Sequence, residues 1–250
     1  MIVSRPIHDV RVVLLDIEGT TTPMTFVHDV LFPFARTSLP GWCRANVGSE
    51  RYRQVLQRLA EEHAADRRAG DPVPEWRDDT PADTDRSLQA YVLWLMGLDR
   101  KTTGLKLLQG LIWEEGYRSG ALRGDVYPDV PVAMRRWRSA GIAPAIYSSG
   151  SELAQRRLFG STIHGDLTTL IAGFFDTTVG PKQAASSYEE IASRLAVRPA
   201  RILFVSDVTL ELAAAADAGC GTVLSLRPGN RPQPDANAYP HIRTFDEILP

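Results

Sequence analysis

The apolar positions of this chain follow two rhythms. In one, short runs rich in β-branched residues stop abruptly at polar residues, as strands buried on both faces of a parallel sheet do. In the other, apolar residues recur three and four positions apart, the spacing of a helix with one face turned inward. Val12, Val13, Leu14 and Leu15 form the first run and predict a strand over 12–15. For about a hundred residues after it only the helical rhythm is present. Phe26, Val30, Leu31, Phe34 and Leu39 fit an irregular helix broken near Pro33, and Tyr52, Val55, Leu56 and Leu59 fit a second. A third and a fourth are predicted over 88–98 and 104–117. The polar stretch 66–86, with Pro72, Pro74 and Pro81, reads as a loop.

From Tyr127 onward the two rhythms alternate. Pro128 and Pro131 suit the start of a helix. Val130, Ala133, Met134, Trp137 and Ala140 give its apolar face, and Gly141 is placed to end it. Strands are predicted over 142–147, 174–179, 202–205 and 222–226, with helices over 152–159, 184–195 and 211–218 between them. Residues 227–240 hold four prolines and read as a surface loop, and a short helix is expected from Phe245. Alternation of this kind predicts an α/β fold with a parallel sheet. The expected division is a Rossmann-like core of residues 1–21 plus 126–250, with an all-helical subdomain, 22–125, inserted after the first strand.

Composition narrows the possibilities. A chain of 250 residues that is 44% apolar can build a sizeable core and carry an insertion. A net charge of −2 gives no electrostatic reason to bind nucleic acid or an anionic membrane. No apolar run approaches the length of a membrane span. The N-terminus, MIVSRPIHDV, is broken by Arg5, Pro6, His8 and Asp9 and lacks the apolar centre of a signal peptide. Cys43 and Cys220 have no metal-ligand spacing and make no disulfide framework. A soluble, cytoplasmic protein with neither nucleic acid nor membrane as partner is expected.

The candidate chemistry lies in the residues that stop the strands. Asp16 ends the first, and Glu18 follows after one apolar residue; Gly19 then allows a sharp turn into three threonines. Ser148 and Ser149 follow the second strand, Lys182 the third and Asp207 the fourth. Right-handed crossovers bring these ends to one edge of a parallel sheet, where open α/β sheets bind their ligands. The set is what phosphoryl transfer needs. One carboxylate attacks phosphorus to form an aspartyl-phosphate, and a second transfers protons. A hydroxyl and an ammonium hold the phosphate oxygens. A further carboxylate shares a magnesium ion with the nucleophile, and that ion offsets the repulsion between two anions. Each residue also has an ordinary reading. Ser148 or Ser149 could be a helix N-cap, Lys182 a solvated lysine and Asp207 the cap of the next helix. Glu211 reads as a partner that orients Lys182, or as an acceptor behind the metal's own ligands, rather than as a direct ligand. Arg100 and Lys101 are candidates for touching a substrate from the helical subdomain and equally read as a solvated loop at a helix start, and His28 and His164 read as surface or packing residues.

With DIEGTTTP at 16–23, YSSGS at 147–151 and SDVTLE at 206–211, the chain resembles the haloacid dehalogenase-like superfamily. Glu18 stands where that superfamily normally has a second aspartate. This departure points to one branch, the enolase-phosphatase (acireductone synthase) family of methionine salvage, which LDRKTTGLKLLQG at 98–110 and RPGN at 227–230 also resemble. The resemblance covers nearly the whole chain. It implies that Asp16 is the nucleophile and a Mg2+ ligand, and that Glu18 is the acid/base residue with its backbone carbonyl on the metal. It further implies that Ser148, Ser149 and Lys182 bind the substrate and that Asp207 completes the metal site. The implied reaction enolises 2,3-diketo-5-methylthiopentyl-1-phosphate and then removes its phosphate. The helical insertion would be a cap that excludes water and selects the substrate, and the family suggests a monomer. The same constellation would serve a capped phosphatase of another small phosphate ester, or a relative that binds a phosphorylated ligand without turnover.

Overall fold

The structure is a computed structural model and describes residues 9–249. Residues 1–8, most of the stretch read against a signal peptide, lie outside it. The described chain divides into two compact units, Val30–Ser119 and the remainder.

The larger unit is built on a six-stranded parallel sheet. Its strands are β1 (Val12–Leu15), β2 (Ala143–Tyr147), β3 (Phe174–Phe175), β4 (Ile202–Ser206), β5 (Gly221–Ser225) and β6 (His241–Ile242). They lie in the order β3-β2-β1-β4-β5-β6. β1 is central and fully buried, with Leu15 in register with Ile146 on one side and Val205 on the other. Its uninterrupted apolar run is the mark of a strand covered on both faces. Side chains alternate faces along a strand. Val12 and Leu14 accordingly share a core with Tyr188, Ile191, Leu212 and Ala215 of the helices that follow β3 and β4.

The smaller unit is four helices, α1 (Phe32–Asn46), α2 (Glu50–Ala69), α3 (Pro81–Gly97) and α4 (Thr103–Ser119). They enclose a core that includes Leu39, Trp42, Val55, Leu59, Tyr91 and Leu108. The irregularity expected near Pro33 is a π-helical turn, Phe26–Leu31, after which Pro33 sits in the first turn of α1, where a missing N–H goes unnoticed. The loop expected over 66–86 is shorter. α2 runs on to Ala69 and is stopped by Gly70 in the left-handed region, while α3 starts at Pro81 behind the N-cap Thr80. Arg100 joins Asp66 at 2.7 Å and Asp71 at 3.0 Å and lies over the Trp94 ring, so its guanidinium ties the α3–α4 connection to the end of α2.

The other helices of the larger unit are α5 (Asp129–Ser139), α6 (Glu152–Gly160), α7 (Ala185–Arg194) and α8 (Thr209–Asp217). One strand prediction needs shortening, and one strand was not predicted. The third strand was expected over 174–179 but ends at Phe175, because the Asp176 carboxylate accepts from both the N–H and the hydroxyl of Thr178 and turns the chain out of the sheet. β6, two residues long, lies just beyond the proline-rich loop and is too short to leave a pattern. The helix expected from Phe245 is a single 3-10 turn, Phe245–Glu247, with a Thr244–Glu247 capping box. No helix among the described residues is long and apolar enough to cross a membrane.

Candidate active site

β1 delivers Asp16 to the carboxyl edge of the sheet, where its N–H donates to the Val205 carbonyl of β4 at 3.0 Å. The chain then folds back on itself. The N–H groups of Thr20, Thr21 and Thr22 all point at the Ile17 carbonyl, and the Thr21 hydroxyl donates to the Asp16 carbonyl at 3.0 Å. The three threonines are buried and fasten the turn that presents Glu18. Gly19 has a φ of +69°, and a Cβ on it would sit 2.6 Å from Asp207 Oδ2 and 2.7 Å from Asn230 Oδ1. Glycine is required there twice over, by conformation and by space.

Opposite Asp16 stands Lys182, from the loop after β3. Its Nζ is 2.6 Å from Asp16 Oδ1 and 2.6 Å from Glu211 Oε2, and its side chain is 9% exposed. It is therefore no solvated lysine. Burial opposes its charge, but Asp16 and Glu211 more than offset that and hold the ammonium above the usual lysine range. Tyr188 fixes the loop by donating to the Lys182 carbonyl at 2.7 Å, and Tyr147 does so by donating to the Gly180 carbonyl at 2.9 Å. Glu211 also accepts from the Ser206 hydroxyl at 2.8 Å. Burial and the nearby Asp16 push its carboxyl upward against the pull of Lys182. The pairing of Glu211 with Lys182 expected from the sequence is present.

The ordinary readings of the remaining residues do not fit the geometry. The N-cap of α6 is Ser151, whose side chain accepts from the Ala154 N–H. Ser148 is buried at the end of β2, its N–H donating to the Phe175 carbonyl and its Oγ accepting from Gly150; Ser149 is partly exposed beside it. Asp207 does not cap α8 either, for Val208 holds that position with no side-chain cap bond. The Asp207 carboxyl is buried, and burial first, then Asp16 and Glu211, push it up to about 7.

The residues fit a hard cation. Asp207 Oδ2 and the buried, unpartnered Oδ1 of Asn230 face the space that Gly19 leaves open. The Asp16 and Glu211 carboxylates share one ammonium, and the Asp207 carboxyl feels both of them, so positive charge is in deficit. Among the described residues no three His, Cys, Asp or Glu side chains form a metal cluster. Two carboxylates with carbonyl oxygens and water are instead the usual donor set of magnesium. Asn230, Ser225 and Arg227 hold the turn after Asp16 from the far side; the sequence marks RPGN only as a family likeness and assigns these residues no role, since a proline-rich loop carries no periodic signal and Ser225 is simply the last residue of β5.

The haloacid dehalogenase-like hydrolase family model matches residues 10–219. Enolase-phosphatase E1 of Synechococcus elongatus is 45% identical over 239 residues, which cover 96% of this chain and 98% of that protein. Enolase-phosphatase E1 of Danio rerio is 42% identical over 245 residues, 95% of this chain and 94% of that one. Among solved structures, the UTR4 protein of Saccharomyces cerevisiae superposes with a TM-score of 0.76 at 33% identity, over 96% of this chain and 100% of that one. The chain belongs to the haloacid dehalogenase-like hydrolases and, within them, to the enolase-phosphatase E1 family of phosphatases.

Proposed function

We propose that the chain enolises 2,3-diketo-5-methylthiopentyl-1-phosphate and then hydrolyses the enol phosphate, releasing phosphate and the acireductone 1,2-dihydroxy-3-keto-5-methylthiopentene. The observation that carries the chemistry is Asp16, buried at the end of β1 and paired at 2.6 Å with a lysine that Glu211 holds in place. In the first step Glu18 takes the proton from the carbon beside a carbonyl, and that carbonyl oxygen takes a proton from solvent to become the enol. In the second, Asp16 attacks phosphorus and the bond from phosphorus to the C1 oxygen breaks. That oxygen leaves with the proton Glu18 now carries. Glu18 then takes a proton from the water that attacks the aspartyl-phosphate, Asp16 is regenerated, and Glu18 releases that proton to solvent, ready for the next substrate. Lys182 faces the phosphoryl oxygens and stabilises the charge that develops on them. The Ser148 and Ser149 hydroxyls hold the same oxygens.

Asp16, Asp207 and the Glu18 backbone carbonyl would hold Mg2+, which supplies when bound the charge that lets an anionic nucleophile approach an anionic phosphate. The division of labour expected from the sequence, chemistry on the sheet and substrate choice in the helices, belongs to this proposal. So do a monomeric state and a cytoplasmic location, with which two buried, free cysteines accord.

Asp16→Asn tests the reading. An amide oxygen is too poor a nucleophile to replace the carboxylate, whereas enolisation forms no bond to Asp16. At high magnesium the variant is expected to accumulate the enol phosphate, seen by its ultraviolet absorbance, and to release no phosphate. Phosphate release near the parent rate would remove Asp16 as the nucleophile. A parent enzyme that prefers common sugar phosphates to the diketo phosphate would remove the substrate assignment.

A further inference from the structure

The turn after Asp16 is gripped by a loop that the chemistry above leaves unused. The Gly19 carbonyl accepts two hydrogen bonds, from Ser225 Oγ at 3.1 Å and from Asn230 Nδ2 at 2.9 Å. The same Nδ2 donates to the Ser225 carbonyl at 3.0 Å, and Arg227 Nε donates to the Thr20 carbonyl at 3.2 Å. Arg227 has a structural task. Its guanidinium pairs with Asp129 at 2.7 Å, donates to the Arg243 carbonyl, and lies between the rings of Tyr127 and Phe245.

Asn230 is placed differently. Both amide hydrogens go to carbonyl oxygens, which settles which end of the side chain is nitrogen. Its Oδ1 therefore faces the other way, buried and without a partner. It lies 2.7 Å from the point where a Cβ on Gly19 would be, and Asp207 Oδ2 lies 2.6 Å from the same point. A buried acceptor left without a donor is costly, so this oxygen calls for a donor in the space beside Asp207.

We propose that Asn230 is a positioning residue of the active site: its amide nitrogen fixes the Gly19 carbonyl and so the turn presenting Glu18, while its Oδ1 accepts from a water in the hydration shell of the cation that Asp16 and Asp207 hold. This rests on the metal-dependent phosphatase reading above. Magnesium keeps several waters, and partners of this outer kind typically set metal affinity by about 10–100-fold.

The test pairs calorimetric titration of the intact protein with Mg2+ and turnover at saturating Mg2+, measured on p-nitrophenyl phosphate and on the diketo phosphate. Asn230→Ala, which loses both functions, is expected to weaken Mg2+ binding about ten-fold and to lower kcat by at least as much, with KM little changed. Asn230→Asp keeps an acceptor but turns carboxylate oxygens on the two carbonyls. It is expected to bind Mg2+ as tightly as the parent and to remain slow. Ser225→Ala removes only one donor from Gly19 and should lower kcat mildly, with Mg2+ affinity intact. A purely structural role would not separate metal affinity from turnover in this way. Should Asn230→Ala fail to fold, the isosteric Asn230→Asp decides: parent-like kcat, or Mg2+ affinity lost together with kcat, overturns the proposal. The Mg2+ titration needs no substrate. A parent that hydrolyses p-nitrophenyl phosphate but not the diketo phosphate would sink the substrate assignment while leaving Asn230 to be judged on these readouts.

Discussion

Asp207 is a carboxyl group held against its own ionisation. Burial, reinforced by Asp16 and Glu211, raises it from 3.8 to about 7 in the metal-free chain. Folding thus favours its protonated form. Its contribution to stability is full below the unfolded value, is lost as pH rises from about 4 to about 7, and is flat above. A shift of this size is worth on the order of 4 kcal/mol. In chelator, unfolding of the parent and of Asp207→Asn should therefore differ little near pH 4, with the variant the more stable at pH 8. Magnesium at pH 8 should restore the parent and leave the variant unmoved. A stability gap that does not change with pH would mean that Asp207 is not the group responsible. Asp16, Lys182 and Asp207 could be read from sequence because each breaks or closely follows an apolar run, and a charge at the end of a buried strand has few uses. Ser148 and Ser149 could not be told from caps until Ser151 was seen doing that work. Asn230 stood out only as the end of RPGN and without a role, since what it does depends on which way its two amide ends face.

Among the elements, α3 teaches most about what the hydrophobic pattern misses. Its apolar face begins at Leu88, but the helix begins at Pro81, because Thr80 accepts from the Asp83 N–H and Pro81 is preset for the first turn. The first turn is exposed and so silent in a reading of buried positions. Thr80→Ala should cost about 1 kcal/mol of helix stability and leave kcat and Mg2+ affinity as in the parent. The measurement is chemical denaturation with a parallel activity assay, and a loss of activity without loss of stability would contradict it. β3 errs the other way. Phe174 to Val179 has the composition of a strand, yet Asp176 closes a turn of its own within it. Long periodic elements survive such local competition, whereas two-residue strands are decided by it.

At the scale of the whole molecule, the central strand is the one made first. β1 pairs with β2 and β4, whose residues lie more than a hundred positions further on, whereas Val30–Ser119 is continuous and has its own core. Residues 30–119 alone are expected to give a helical circular dichroism spectrum and a cooperative melt. A chain ending at residue 200 lacks β4, leaves one edge of β1 unpaired, and should neither melt cooperatively in its sheet nor bind Mg2+. Cooperative sheet melting of that truncated chain would show that the pairing of β1 with β4 is dispensable. The order of these elements also sets a timetable during translation. Asp16 leaves the ribosome well over a hundred residues before Lys182, Asp207 and Glu211, and the loop that clamps Gly19 follows after them. A nascent chain thus carries Asp16 well before the residues that surround it, so a chain cut short between them should be an inert polypeptide and not an indiscriminate phosphatase.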